Sequence, residues 1–137
     1  MSYLLDTNVI SELRKGERAN ANVRAWFGGL DDKEIYLSVL TIGEIRRGVE
    51  SVRRRDPDSA AALDSWLARL DDAYGDRILA VDRTVAEEWG RMNVPDPLPV
   101  VDGLLAATAR VAGLTFVTRN VADVKSSGVE LFDPFSS

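Results

Sequence analysis

Acidic and amide side chains stand at four places in this 137-residue chain where an apolar run has just ended or is about to continue. Asp6 closes "YLLD", Glu44 follows "LSVLTIG", Asp102 sits inside "VVDGLLAATA", and Asn120 and Asp123 follow "TFVTR". Such groups have two readings. Each can serve its own stretch of backbone: Asp6, Thr7 or Asn8 as a helix cap, Glu44 as the far half of a capping box begun by Thr41, Asp102 against the positive end of its helix after Pro99, Asn120 in an Asx turn, and Asp123 as a surface acid. Together they can instead hold a hard divalent cation such as Mg²⁺ or Mn²⁺ through oxygen ligands.

Composition narrows the choice. The chain has no Cys and no His, which excludes disulfides, thiolate nucleophiles, cysteine or histidine zinc sites and every imidazole-based mechanism. If the chain is an enzyme, its polar catalytic groups must come mainly from carboxylates, amides, hydroxyls and Arg or Lys. Two of the acids add their own signal. Asp102 is flanked by Val100, Val101, Leu104 and Leu105, and a charge in an apolar helix is costly unless paired, hydrogen-bonded or bound to a cation. Glu44 falls roughly 110° from the centre of the Ile42, Ile45, Val49 and Val52 stripe at about 100° per residue, which puts it at the rim of the buried face.

The net charge of −5 argues against sequence-independent binding to a polyanion, but the basic residues cluster in "RKGER" (14–18) and "RRGVESVRRR" (46–55). Arg presents a planar fork that suits phosphate oxygens, although such clusters also occur as plain solvated helix faces.

The elements that must position these groups follow from periodicity and breakers. Strands are predicted at 3–6, 34–40, 77–81, 114–118 and 129–133. Helices are predicted from Asn8 to a stop at Gly16, over 20–30, from Thr41 to Arg55, from the "DPDS" break to Tyr74, over 82–92 with Asp82 as N-cap, and over 100–113. Residues 93–99, "NVPDPLP", read as a loop. Strands alternating with helices predict an α/β fold: one domain over 1–137, with a mostly parallel central sheet of four to five strands covered by helices on both faces. The acids follow strand ends, or open the helix before strand four, so a parallel sheet would bring them to its carboxyl edge, where open sheets bind ligands. No apolar stretch reaches membrane-helix length, and the N-terminus carries no signal-like pattern, so the expected compartment is the cytoplasm.

With "LLDTNVISEL", "LSVLTIGEIRRGVE", "VVDGLLAATA" and "FVTRNVADV" in this order, the chain resembles the PIN-domain ribonucleases, and within them the VapC-type toxins of bacterial toxin–antitoxin pairs. The resemblance implies Mg²⁺- or Mn²⁺-dependent endonucleolytic cleavage of RNA. Asp6, Glu44 and Asp102 would be the metal acids, with either Asn120 or Asp123 as the fourth site residue; Arg46, Arg47 and Arg119 are the best-placed grips on the phosphate backbone. It also implies a homodimer, a VapB-like antitoxin that blocks the site, and contact with operator DNA only through that antitoxin. Three rivals remain beside it. The same site could cut DNA, or the chain could serve as a non-cleaving DNA-binding partner with an antitoxin. An aspartate-based phosphate-handling domain is a further rival, though Asn8 stands where a phosphatase wants a second acid. The last is a partner protein that uses the fold only for association.

Overall fold

The computed structural model describes residues 1–136. Five short parallel strands form the sheet: β1 (Tyr3–Leu5), β2 (Ile35–Ser38), β3 (Ile78–Leu79), β4 (Thr115–Val117) and β5 (Leu131–Phe132), in the spatial order β3-β2-β1-β4-β5. Seven helices connect and cover them: α1 (Thr7–Leu13), α2 (Ala21–Gly28), α3 (Val39–Arg53), α4 (Pro57–Tyr74), α5 (Arg83–Met92), α6 (Val100–Ala112) and α7 (Val121–Val124). Strand order runs outward in one direction from β1 through β2 to β3, then in the other through β4 to β5. β1 is therefore the point at which the winding reverses, and the crevice at its carboxyl end is where such sheets bind ligands.

Successive residues of a strand face opposite sides of the sheet, and β1 shows why it is apolar throughout. Leu5 joins the core formed with Val9, Val23, Val49 and Leu67 beneath α1 to α4, whereas Leu4 joins Val85, Leu105, Phe116 and Val124 beneath α5 to α7. Both leucines are completely buried. α3 and α4 pack on each other across one face, and α5 and α6 do so on the other. The small residues Gly103, Ala106, Ala107 and Ala109 bring α6 close to the sheet. A Cβ on Gly103 would stand 3.2 Å from both Leu98 Cβ and Trp89 Nε1.

Several predicted boundaries move. β2 ends at Ser38, and Val39 and Leu40 begin α3, with the Ser38 hydroxyl accepting from Leu40 N at 3.0 Å. This removes the expected Thr41–Glu44 capping box: Thr41 lies a turn inside the helix, fully buried. α1 stops at Leu13, and Gly16, at φ +61°, opens a separate single turn instead of ending that helix. Asp56 and Asp82 do cap α4 and α5, accepting from Ser59 N and Val85 N, and Gly113 ends α6 in the left-handed conformation. α6 is apolar from its start but buried only beyond its first turn. Val100 is 62% exposed and Val101 36% exposed, so Asp102 sits at a rim and not inside a greasy cylinder.

Candidate active site

The register of the sheet builds the site. Leu5 pairs with Val117, and Asp6 N donates to Val117 O at 2.9 Å, which sets the next residues, Asp6 and Thr118, side by side. Asp6 is only 4% exposed. One carboxylate oxygen accepts from Thr7 N at 2.7 Å, so Asp6 does cap α1. The other accepts from Thr118 Oγ1 at 2.7 Å and from Asn8 Nδ2 at 3.4 Å. Thr118 Oγ1 in turn accepts from Asn120 N at 3.0 Å, so the turn after β4 is tied to the aspartate through one buried hydroxyl. Asp6 is thus a helix cap, and the capping bond uses one oxygen while Thr118 holds the other at the strand end.

Glu44 is half-buried, as its angle from the apolar stripe predicted. Its Oε1 accepts from Thr7 Oγ1 at 2.5 Å, and Thr41 Oγ1 lies 3.2 Å from that same hydroxyl. Thr7 therefore links α1 to α3 and holds one oxygen of Glu44. Asp102 is half-buried in the first turn of α6, whose N-terminus has no side-chain cap. Asp123 is exposed on α7, and Asn120 is the exposed residue just before that helix.

Electrostatics show that the acids share one region. Burial is the main cause that pushes the Asp6 pKa up to about 6; hydrogen bonds from Thr118 and Thr7 pull against it, and the charges of Asp102 and Glu44 add to the rise. Asp102 is raised too, first by burial and then by the charges of Asp123 and Glu44. Like charges within reach of each other disfavour ionisation, and a cation placed among them reverses that cost. The donor set is all oxygen, which suits Mg²⁺ or Mn²⁺ and not a soft metal. Among the described residues, no group of three or more acids stands close enough together to hold a metal ion as placed. Threonine hydroxyls hold both Asp6 and Glu44 within a mutually repelling group.

The arginines separate. Arg46 turns towards α4, bonding Asp64 at 2.9 Å and Glu50 at 3.2 Å, and Arg53 shares both acids. Arg47 is exposed and lines a cavity of about 260 Å³ together with Glu44 and Val101, beside the acids. Arg119, exposed next to Asn120, lies over the Phe135 ring at 4.5 Å. Sequence reasoning passed over Thr118 and gave Thr7 only a capping role. A hydroxyl directly after β4, level with the acid directly after β1, was the available signal for Thr118.

The sheet that reverses at β1, with acids that feel one another's charge near its carboxyl end, makes this a small α/β domain with an acidic crevice. The PIN domain model matches residues 3–122, and the chain belongs to this family. Toxin FitB of Neisseria gonorrhoeae is 31% identical, over 96% of this chain and 97% of that protein. VapC ribonuclease Y4jK of Sinorhizobium fredii is 30% identical, over 96% of each. The structure of FitAB bound to an IR36 DNA fragment superposes with a TM-score of 0.88 at 29% identity, covering 98% of this chain and 96% of that one.

Proposed function

We propose that the chain is a metal-dependent endoribonuclease and the toxin of a VapBC-type toxin–antitoxin pair. The observation that carries this reading is the buried Asp6 carboxyl, raised to about 6 in the company of Glu44 and Asp102 at the ligand-binding edge of a PIN domain. Asp6, Glu44 and Asp102 are the residues that would hold the ion, with Asn120 or Asp123 completing the site; of these two, Asp123 brings the charge that Asp102 feels. When bound, Mg²⁺ or Mn²⁺ supplies an activated water at neutral pH and neutralises charge on the phosphate.

The remaining work belongs to the protein. Thr118 and Thr7 fix the orientation of the Asp6 and Glu44 carboxylates, and a cation would have to draw the acids closer together than they stand without it. Arg47, which shares a cavity with Glu44, and Arg119, next to Asn120, would contact RNA phosphates, which positions the substrate without choosing its sequence. Arg46, paired with Asp64 and Glu50, would have to give up those bonds to join them.

The relatives named toxin and ribonuclease, and the FitAB structure on DNA, support a VapB-like antitoxin as partner; a homodimer and operator DNA reached only through the antitoxin belong to the same proposal. Among the described residues no helix is long and apolar enough to cross a membrane; a toxin acting on cellular RNA would work in the cytoplasm.

The test is incubation of purified protein with end-labelled RNA and, separately, duplex DNA, with Mn²⁺ and with EDTA. RNA should be cut only with the metal, and Asp6→Ala and Asp102→Asn should each abolish cutting. Cleavage of duplex DNA instead would favour the DNA-directed rival, and cleavage that survives Asp6→Ala would expose a contaminant.

A further inference from the structure

A trough leads away from the acids between α1, α3 and α4. Its near end, a cavity of about 250 Å³, is bordered by Thr7 and Glu44, with Ile45, Val49 and Trp66 on its walls. Its far end, about 360 Å³, holds Arg55, Asp56 and Ser59. Arg14, Val52 and Leu63 line both cavities, so the two adjoin between the Glu44 carboxylate and Arg55.

Arg14 stands at the joint, its guanidinium carbon 5.7 Å from the centre of the Trp66 ring. Arg46 and Arg53 are neutralised by Glu50 and Asp64, but Arg14 makes no ion pair among the described residues. Asp56, the acid at the far end, is occupied with its capping bonds from Ser59 N and Oγ. The trough therefore presents aliphatic walls, two guanidinium groups without ion pairs among the described residues, and a half-buried indole that Arg14 now covers, so a stacked base would take the place of Arg14 on the ring. A flat π-face beside Arg is what takes up an unpaired base, since stacking serves every base and Arg meets the adjoining phosphate.

We propose that this trough is a subsite for one unpaired nucleobase flanking the scissile phosphate, stacked on Trp66 with Arg14 on the neighbouring phosphate. It would help decide where in a single-stranded segment the chain cuts. The assignment deepens the nuclease reading and rests on it.

Gly48 supplies a clean probe. It lines the near cavity from α3, and a Cβ there meets nothing within 4 Å. Gly48→Leu should fill the trough without moving its walls, whereas Trp66→Ala removes the stacking face. Binding is read by fluorescence anisotropy of a fluorescein-labelled single-stranded oligoribonucleotide, in EDTA, on the Asp6→Asn background. Cleavage is read with an otherwise wild-type chain and Mn²⁺. Both variants should weaken binding and lower kcat/KM on the order of tenfold, as expected for loss of one stacked base. In an oligoribonucleotide cut at one position, an abasic nucleotide at one place beside that position should cost a similar factor, and should cost little more once Trp66 is Ala.

Unchanged binding and cleavage in both variants would overturn the proposal and leave the trough to a protein segment. Losses that multiply fully with every abasic position would overturn it as well, since no single base would then be read there. Failure of the wild-type chain to cut RNA at all would refute the nuclease reading, and the anisotropy arm would still decide the trough.

Discussion

Replacing Asp6 by Asn should make the metal-free protein more stable while destroying its activity. The size of the effect follows from where Asp6 sits. Its carboxyl is raised from 3.8 to about 6 in the folded chain, chiefly by burial and also by the charges of Asp102 and Glu44. An acid whose folded-state pKa is raised contributes stability that is fully present below its unfolded pKa and is lost as pH rises through the folded one. From pH 4 to pH 7 the metal-free protein should therefore lose up to about 3 kcal/mol at this one group, at 1.36 kcal/mol per pKa unit. Asn has nearly the same shape, can still accept from Thr7 N, and carries no charge to desolvate. It gives up the charged acceptor of the Thr118 hydroxyl, so the net gain at pH 7.5 should be about 1–3 kcal/mol. Urea unfolding in EDTA, followed by fluorescence of Trp26, Trp66 and Trp89, measures this at pH 4 and pH 7.5. The variant should match wild type within about 1 kcal/mol at the lower pH and exceed it at the higher. A variant less stable than wild type at pH 7.5, or a difference that does not change with pH, would refute the burial-and-repulsion account.

Four further outcomes follow from the structure. Gly48→Ala, in an open position on α3, should raise stability by about 0.5–1 kcal/mol through helix propensity. Gly103→Leu should lower it by about 2 kcal/mol or more, because its side chain must displace Trp89 and Leu98; thermal melts of the two variants should move in opposite directions. Arg47→Ala should weaken RNA binding more than Arg46→Ala does, since Arg46 is already spent on Asp64 and Glu50, and filter binding at two salt concentrations distinguishes them by slope. Thr118→Val keeps the volume of a fully buried side chain but removes the donor to Asp6; it should reduce kcat at saturating RNA with little change in KM.

The fold was legible where one pattern dominated. The apolar runs at β1 and β4 and the helical stripe of α3 leave few alternatives, and the parallel α/β architecture follows from their alternation. Boundaries were legible only where a cap or a left-handed glycine marks them, as at Asp56, Asp82 and Gly113. Val39 and Leu40 read as strand because they are apolar and follow "EIYLS"; the Ser38 hydroxyl turned them into helix, and with that the capping box at Thr41 dissolved. Asp6, Glu44 and Asp102 could be chosen from the sequence because each is a charge at the edge of an apolar run. The hydroxyls that hold them could not, since Thr118 becomes a partner of Asp6 only through the pairing of β1 with β4, 112 residues apart. Arg46 and Arg47 looked equivalent in the chain; only the packing of α4 against α3 gives one of them acids to bind.

The central claim is that Asp6, Glu44 and Asp102 serve one cation together. Titration of Mn²⁺ into the metal-free protein, followed by the melting temperature, tests it most directly, because a ligand that binds only the folded state stabilises it. Wild type should gain stability with saturating dependence on Mn²⁺, and Asp6→Asn, Glu44→Gln and Asp102→Asn should each lose most of that gain. Three variants that retain the full wild-type increment would contradict a shared site and leave these acids as separate helix-end residues.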